Sequence, residues 1–166
     1  KLFELNVNFK ENLKNYNFNK MYKELLNFCT LDLSSFYFDI SKDILYCNTL
    51  KSKERMSIIT ILYHLYDNLT TWFAPVLCHT MEETWKEFKT EKIKSIHLKV
   101  AKKIPDIWKK DELINKWKLI RKVRKFVNTA IENVRNQKLL GSSLEAEVYI
   151  YVEDSNLKNI VKDIDI

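Results

Sequence analysis

The sequence predicts a mainly α-helical bundle that closes with a short β/α segment at its C-terminal end. Three observations predict it. One glycine and two prolines in 166 residues leave little material for the turns of a β-rich fold. Apolar residues recur at steps of three and four along most of the chain, the period of a helix with one buried face. A single stretch, EAEVYIYV at residues 145–152, alternates instead as a half-buried strand does. Residues 1–140 are therefore expected to form the bundle, and 141–166 to open a small α/β module that is cut short, because a strand without a partner is not stable alone.

The first helix is marked by Leu2, Leu5, Phe9, Leu13 and Tyr16, although its many asparagines weaken it. A second is expected from Phe18 to Cys29, burying Met21, Tyr22, Leu25 and Phe28. The stretch CTLDLSSFYFDISKDILYC (29–47) carries strand-like aromatics, yet Leu33, Phe36, Tyr37, Ile40, Ile44 and Cys47 step by three and four. It is read as a third helix, with Asp32 or Ser34 capping its first N–H groups. A long helix from Ser52 to Phe73 follows, with Ile58, Ile61, Leu62, Leu65, Leu69 and Trp72 inward and Pro75 ending it. Thr80 and Glu83 have capping-box spacing for a short helix through Phe88, and residues 90–105 read as a connector. From Asp111 to Leu139, the positions Leu113, Trp117, Ile120, Val123, Val127, Ala130, Ile131 and Val134 mark one face. Gly141 is placed to supply a left-handed C-cap, and NLKNIVKDIDI reads as one more helix.

Composition excludes several functions. An apolar fraction of 46% and a charged fraction of 30% are those of a soluble globular protein, and no run of about 18 apolar residues offers a membrane span. The start, KLFELNVNFKEN, lacks a charged-then-apolar leader layout and reads as the interior of a longer chain. Phosphate-cradling loops need glycines for close backbone approach, and one glycine cannot build them. Cys29, Cys47 and Cys78 form no CxxC pair and read as small buried hydrophobes in a reducing, cytoplasmic setting. His64, His79 and His97 show no metal-ligand spacing. The pairs Asp39/Asp43 and Glu82/Glu83 accompany no nucleophile and read as surface charge. No catalytic residues and no metal site are expected.

The net charge of +6 is unevenly placed. Residues 99–138 hold thirteen Lys and Arg against four acids, leaving the rest of the chain at −3. At about 100° per residue, Lys118, Arg121, Lys122 and Lys125 gather opposite the apolar stripe, with Arg124 and Arg135 on its flank. Such a face is either simply solvated or a ridge for phosphates, where clustered cations release counterions on meeting a nucleic acid.

Three stretches together resemble the anticodon-binding domain of class Ia aminoacyl-tRNA synthetases in its bacterial isoleucyl wording. LDLSSFYFDISKDILYC (31–47) is similar to that domain's signature helix. LYHLYDNLTTWFAPVLCHTMEETW (62–85) is similar to its long helix, proline break and following helix, with His79, Thr80, Glu82, Glu83 and Trp85 at the motif positions. WKLIRKVRKFVNTAIENVRNQKLLGSSLEAEVYIYV (117–152) resembles its last helix and the segment beyond. The resemblance implies a helical bundle docking on the anticodon stem-loop of isoleucine tRNA, beside the remaining domains of a monomeric ligase. ATP with magnesium would be used by those other domains, and zinc, where present, by a further C-terminal module. The same resemblance adds Arg124, Arg135 and Lys138 as matching positions, so the expected tRNA-binding residues are Lys42, Lys118, Arg121, Lys122, Arg124, Lys125, Arg135 and Lys138. Lys42 is included as the residue of its stretch most able to reach a phosphate. The alternatives are a stand-alone helical domain binding nucleic acid or protein, and the equivalent domain of a valyl, leucyl or methionyl enzyme.

Overall fold

A computed structural model describes residues 1–88, 93–142 and 145–162. Helices supply the regular structure, and no strand forms among the described residues. The chain divides into two compact units, one spanning Lys1–Trp108 and the other beginning at Lys109.

In the first unit, α1 (Leu2–Lys14) and α2 (Phe18–Asn27) are joined by three residues. Tyr16 takes a left-handed φ of 57°. Its N–H donates to the Leu13 carbonyl (3.2 Å) and the Asn17 N–H to that of Asn12 (2.8 Å), the bonding pattern of a Schellman cap. The asparagines expected to weaken α1 are partly inside it, since Asn6 and Asn12 are buried.

Residues 28–47 are helical, as the spacing predicts, but not in the way it predicts. Phe28–Phe38 is a π-helix that runs into α3 (Asp39–Cys47). Phe28 and Asp39 at its two ends both keep right-handed helical angles, so Phe18 to Cys47 is one unbroken rod. Asp32 and Ser34 therefore cap nothing. The hydroxyls bond backwards to carbonyls instead: Ser35 Oγ to Thr30 O (2.8 Å), Thr30 Oγ1 to Leu26 O (3.0 Å), Ser41 Oγ to Tyr37 O (2.6 Å). A turn closed from i to i+5 also changes which residues share a face. Phe28 and Leu33, five apart, are both buried, and Ser41 is buried where Ile40 was expected; Ile40 and Cys47 are exposed.

α4 (Lys53–Phe73) opens on Ser52, whose Oγ accepts from the Arg55 N–H (3.2 Å). Arg55 reaches back to the carbonyl of Leu45 (3.1 Å) and ties the end of α3 to the start of α4. The helix stops at Phe73, before Pro75. α5 (Cys78–Glu87) starts earlier than the capping-box spacing suggests, so Thr80 lies inside it and caps nothing. Trp72 and Phe73 pack with Phe9, Met21, Leu25 and Ile104 in the main core cluster. Trp72 stacks on Phe9, ring centroids 5.6 Å apart. Ile61, expected inward, is exposed, while Asp67, Asn68 and Thr70 are buried.

The described part of the connector is packed rather than loose. Ile96 is buried with Ala74 and Trp85 in one cluster, and Ile104 belongs to the main one. Two carboxylates hold it. Asp67 pairs with Lys99 and, at 3.5 Å, with Lys102. Glu82, read above as surface charge, accepts from Ser95 Oγ (2.8 Å) and the Ile96 N–H (2.9 Å) and faces Lys86 at 3.2 Å. The Ser95 hydroxyl first, then the Ile96 N–H, hold its carboxyl below the usual range. A carboxyl whose folded pKa is depressed stabilises fully above its unfolded value and loses that contribution as pH falls through the folded one. Glu82→Gln is thus expected to lower the thermal midpoint at neutral pH, and its gap to wild type to close in acid. Melting curves from neutral pH down to about pH 3 test this; a constant gap would refute it.

In the second unit, α6 (Asp111–Asn136) contacts α7 (Ser155–Lys162). Residues 145–152 were expected as a strand, but beyond a turn at Glu145 they carry no regular structure. An alternating pattern needs a second strand to accept its backbone groups, and the described residues supply none.

Candidate nucleic-acid interface

α6 is favoured locally at both ends. Asp111 and Glu112 stand in its first turn and Arg135 in its last, each complementing the helix dipole. It ends three residues before Leu139. Lys138 takes a φ of 59°, its N–H donates to Arg135 O (2.8 Å), and the Leu139 N–H donates to Val134 O (3.3 Å). This is a second Schellman cap, and Lys138 holds the left-handed position expected of Gly141. The glycine has no positive φ; its N–H donates to the Glu145 carboxylate (3.2 Å).

The apolar stripe is buried along only part of its length. Ile120 and Val123 are buried and Val127, Ile131 and Val134 half-buried, whereas Leu113, Trp117 and Ala130 are exposed. Opposite it, Lys118, Lys122 and Lys125 are exposed and make no ion pair among the described residues. Lys118 and Lys125 are seven residues apart, about 10 Å along the axis. Arg121 and Arg124 are half-buried and already engaged with other groups. Arg135 Nη1 pairs with Glu132 at 2.6 Å, and Lys138 is exposed at the helix end. Lys42 belongs to the first unit, on α3, 3.5 Å from Asp39.

α6 thus gathers Lys118, Arg121, Lys122 and Lys125 on one face and sets Arg124 and Arg135 on the flank. Three ammonium groups without an ion pair among the described residues, on a rigid rod, suit a phosphate backbone, whose contacts position a nucleic acid without reading it. A family model described as the anticodon-binding domain of tRNA ligase matches residues 1–150. The chain belongs to this family.

Over 165 residues, this anticodon-binding domain is 47% identical to the isoleucine–tRNA ligase of Pelagibacter ubique, covering 99% of this chain and 18% of that protein. It is 38% identical over 165 residues to the isoleucine–tRNA ligase of Mesorhizobium japonicum (99% and 16%), and 40% identical over 157 residues to that of Agrobacterium fabrum (95% and 16%). The chain spans less than a fifth of the length of these relatives.

The family motif around HTMEETW is structural where the domain shows its contacts. Trp85 is buried, Glu82 holds the connector, and His79 is exposed. The Tyr66 hydroxyl donates to the carbonyls of Thr84 and Trp85 (3.2 Å each) in the last turn of α5. His64 meets Trp108 edge-on at 5.0 Å, and His97 Nε2 lies 3.2 Å from Cys78 O. Burial pushes the Cys29 thiol up, but Cys47 and Cys78 are exposed, against expectation. No group of three metal-ligating side chains occurs among the described residues. Ser143 and Leu144 of the GSSLEA wording, and positions 90–92 of the connector, lie outside the described residues.

Sequence reasoning missed the Asp67–Lys99 pair, although a signal existed. Asp67 is the one charged residue between Arg55 and Glu82, and an isolated acid in an apolar helix needs a partner. The pair also engages Lys99 and Lys102, two of the cations that make residues 99–138 basic.

Proposed function

We propose that this domain docks on the anticodon stem-loop of isoleucine tRNA, so that the other domains of an ATP- and magnesium-dependent ligase can attach isoleucine at the distant acceptor end. The observation that carries this reading is similarity to isoleucine–tRNA ligases over almost the whole chain. In this reading residues 1–140 are the docking bundle and 141–166 open a junction module, with any zinc bound in a further module. The protein acts as a monomer in the cytoplasm. These residues contribute by positioning, which lowers the entropic part of the barrier without any bond being made or broken among them. Lys118, Lys122 and Lys125 hold phosphates, Arg121, Arg124, Arg135 and Lys138 extend that contact along α6, and Lys42, on the first unit, makes a phosphate contact of its own.

Binding of the chain to isoleucine tRNA and to valine tRNA across a salt series tests the proposal. Isoleucine tRNA is expected to bind more tightly. Replacing Lys118, Lys122 and Lys125 together by alanine is expected to flatten the log–log salt dependence by roughly two to three. Equal affinity for both tRNAs would refute selective docking here, an unchanged slope would remove the three lysines from the interface, and no binding even at low salt would refute the reading altogether.

A further inference from the structure

Phe126 stands out on α6. It is 66% exposed in mid-helix, and at about 100° per residue it lies at the edge of the buried face, roughly 60° from Val123 and 120° from Ile120. Lys122 is one turn before it on the same side, Lys125 precedes it in sequence, and exposed Asn133 lies two turns after it. A single exposed apolar residue is ordinary, but this one is bounded by cations that have no ion pair among the described residues. A protein partner would ask for a contiguous apolar patch. On this side Leu119 is 39% exposed, Val123 is buried and Ala130 is small, so Phe126 is its one large apolar side chain more than half exposed, with Lys122 beside it. A flat apolar ring beside unpaired ammonium groups complements a different chemistry: a molecule that carries a flat π-face and negative charge a few ångströms apart. An unstacked nucleotide has both, and single-stranded loops are bound by such pairing of aromatic rings with cationic grooves.

We propose that Phe126 is a stacking platform for one unstacked base of the bound RNA, with Lys122 and Lys125 holding the phosphates that flank it. The proposal rests on the tRNA-docking reading and adds a residue to it. Phosphate contacts alone fix register without discriminating loops; a stacked base makes the helix prefer an open loop to a duplex.

The test compares wild type, Phe126→Leu and Phe126→Tyr for binding to isoleucine tRNA over several salt concentrations, with thermal melts of each protein. Leucine keeps the apolar bulk and removes the π-face. Phe126→Leu is expected to weaken binding roughly tenfold or more by the same factor at every salt, with an unchanged melt and slope. Phe126→Tyr is expected to bind like wild type. Wild-type affinity for Phe126→Leu, an equal loss in Phe126→Tyr, or a lowered melt for Phe126→Leu that marks a ring packed against protein would each overturn the proposal while leaving tRNA docking intact. Failure of wild type to bind at all would overturn the docking reading, and this proposal with it.

Discussion

Asp67→Ala is expected to destabilise the first unit by roughly 3–5 kcal/mol, the usual cost of breaking a buried ion pair from one side. The Asp67 side chain is 9% exposed and that of Lys99 only 4%. Removing the carboxylate takes a buried negative charge from beside the Lys99 ammonium in a nearly dry site. Lys99→Met is the informative contrast. It removes the buried cation with little loss of volume, and Asp67 keeps Lys102, whose side chain is 54% exposed. The cost should be smaller, and Asp67→Leu combined with Lys99→Met should recover much of it, since an apolar pair can replace a buried ionic one. Urea unfolding at neutral pH measures all three. A loss below about 1 kcal/mol in Asp67→Ala would mean that water reaches the site, and the pair would then count as a surface pair.

Trp72→Ala should cost a similar amount, roughly 3–5 kcal/mol. Trp72 is fully buried, stacks on Phe9 and belongs to the cluster with Met21, Leu25, Phe73 and Ile104. Its Nε1–H has no acceptor among the described residues. Trp72→Phe therefore has two opposed effects: it opens a smaller cavity, and it removes a buried donor left unbonded, itself costly. It is expected to lose less than half of what alanine loses. Unfolding midpoints at constant urea dependence would report this; equal losses would show that the cavity dominates and the orphan N–H is immaterial.

Much of the helical order could be read directly from apolar spacing. α2, α4 and α6 begin within a residue or so of where Phe18, Ser52 and Asp111 place them, because long amphipathic periods are strong signals and Pro75 is an unambiguous stop. The errors are local and have physical causes. A 3.6-residue period cannot detect the five-residue spacing of Phe28 and Leu33, so it put Ile40 inside and passed over Ser41. Asp32 and Ser34 look like caps in a sequence, but hydroxyl groups also bond back to carbonyls within a helix, as Thr30 and Ser35 do in this stretch. Gly141 looked like the helix end because glycine is the common choice there; Lys138 shows that another residue can take the position when the two Schellman bonds fix it. The candidate interface was partly legible. Charge spacing grouped Lys118, Lys122 and Lys125 correctly on α6, but could not reveal that Arg121 and Arg124 are engaged, that Lys99 and Lys102 serve Asp67, or that Phe126 faces outward.

The π-helical turns of Phe28–Phe38 also bear on how this chain can change in length. Losing one residue from an ordinary helix turns everything beyond it by about 100° and strands the buried face. A segment already wound with a surplus residue can give one up by tightening to α-geometry, retaining its backbone hydrogen bonds. Because the residue lost is the surplus one, α3 beyond it keeps nearly its phase, with Ser41 still inward and Lys42 on much the same bearing. The segment therefore acts as an adjustable spacer, where a deletion in the gene is absorbed locally rather than passed on to α3.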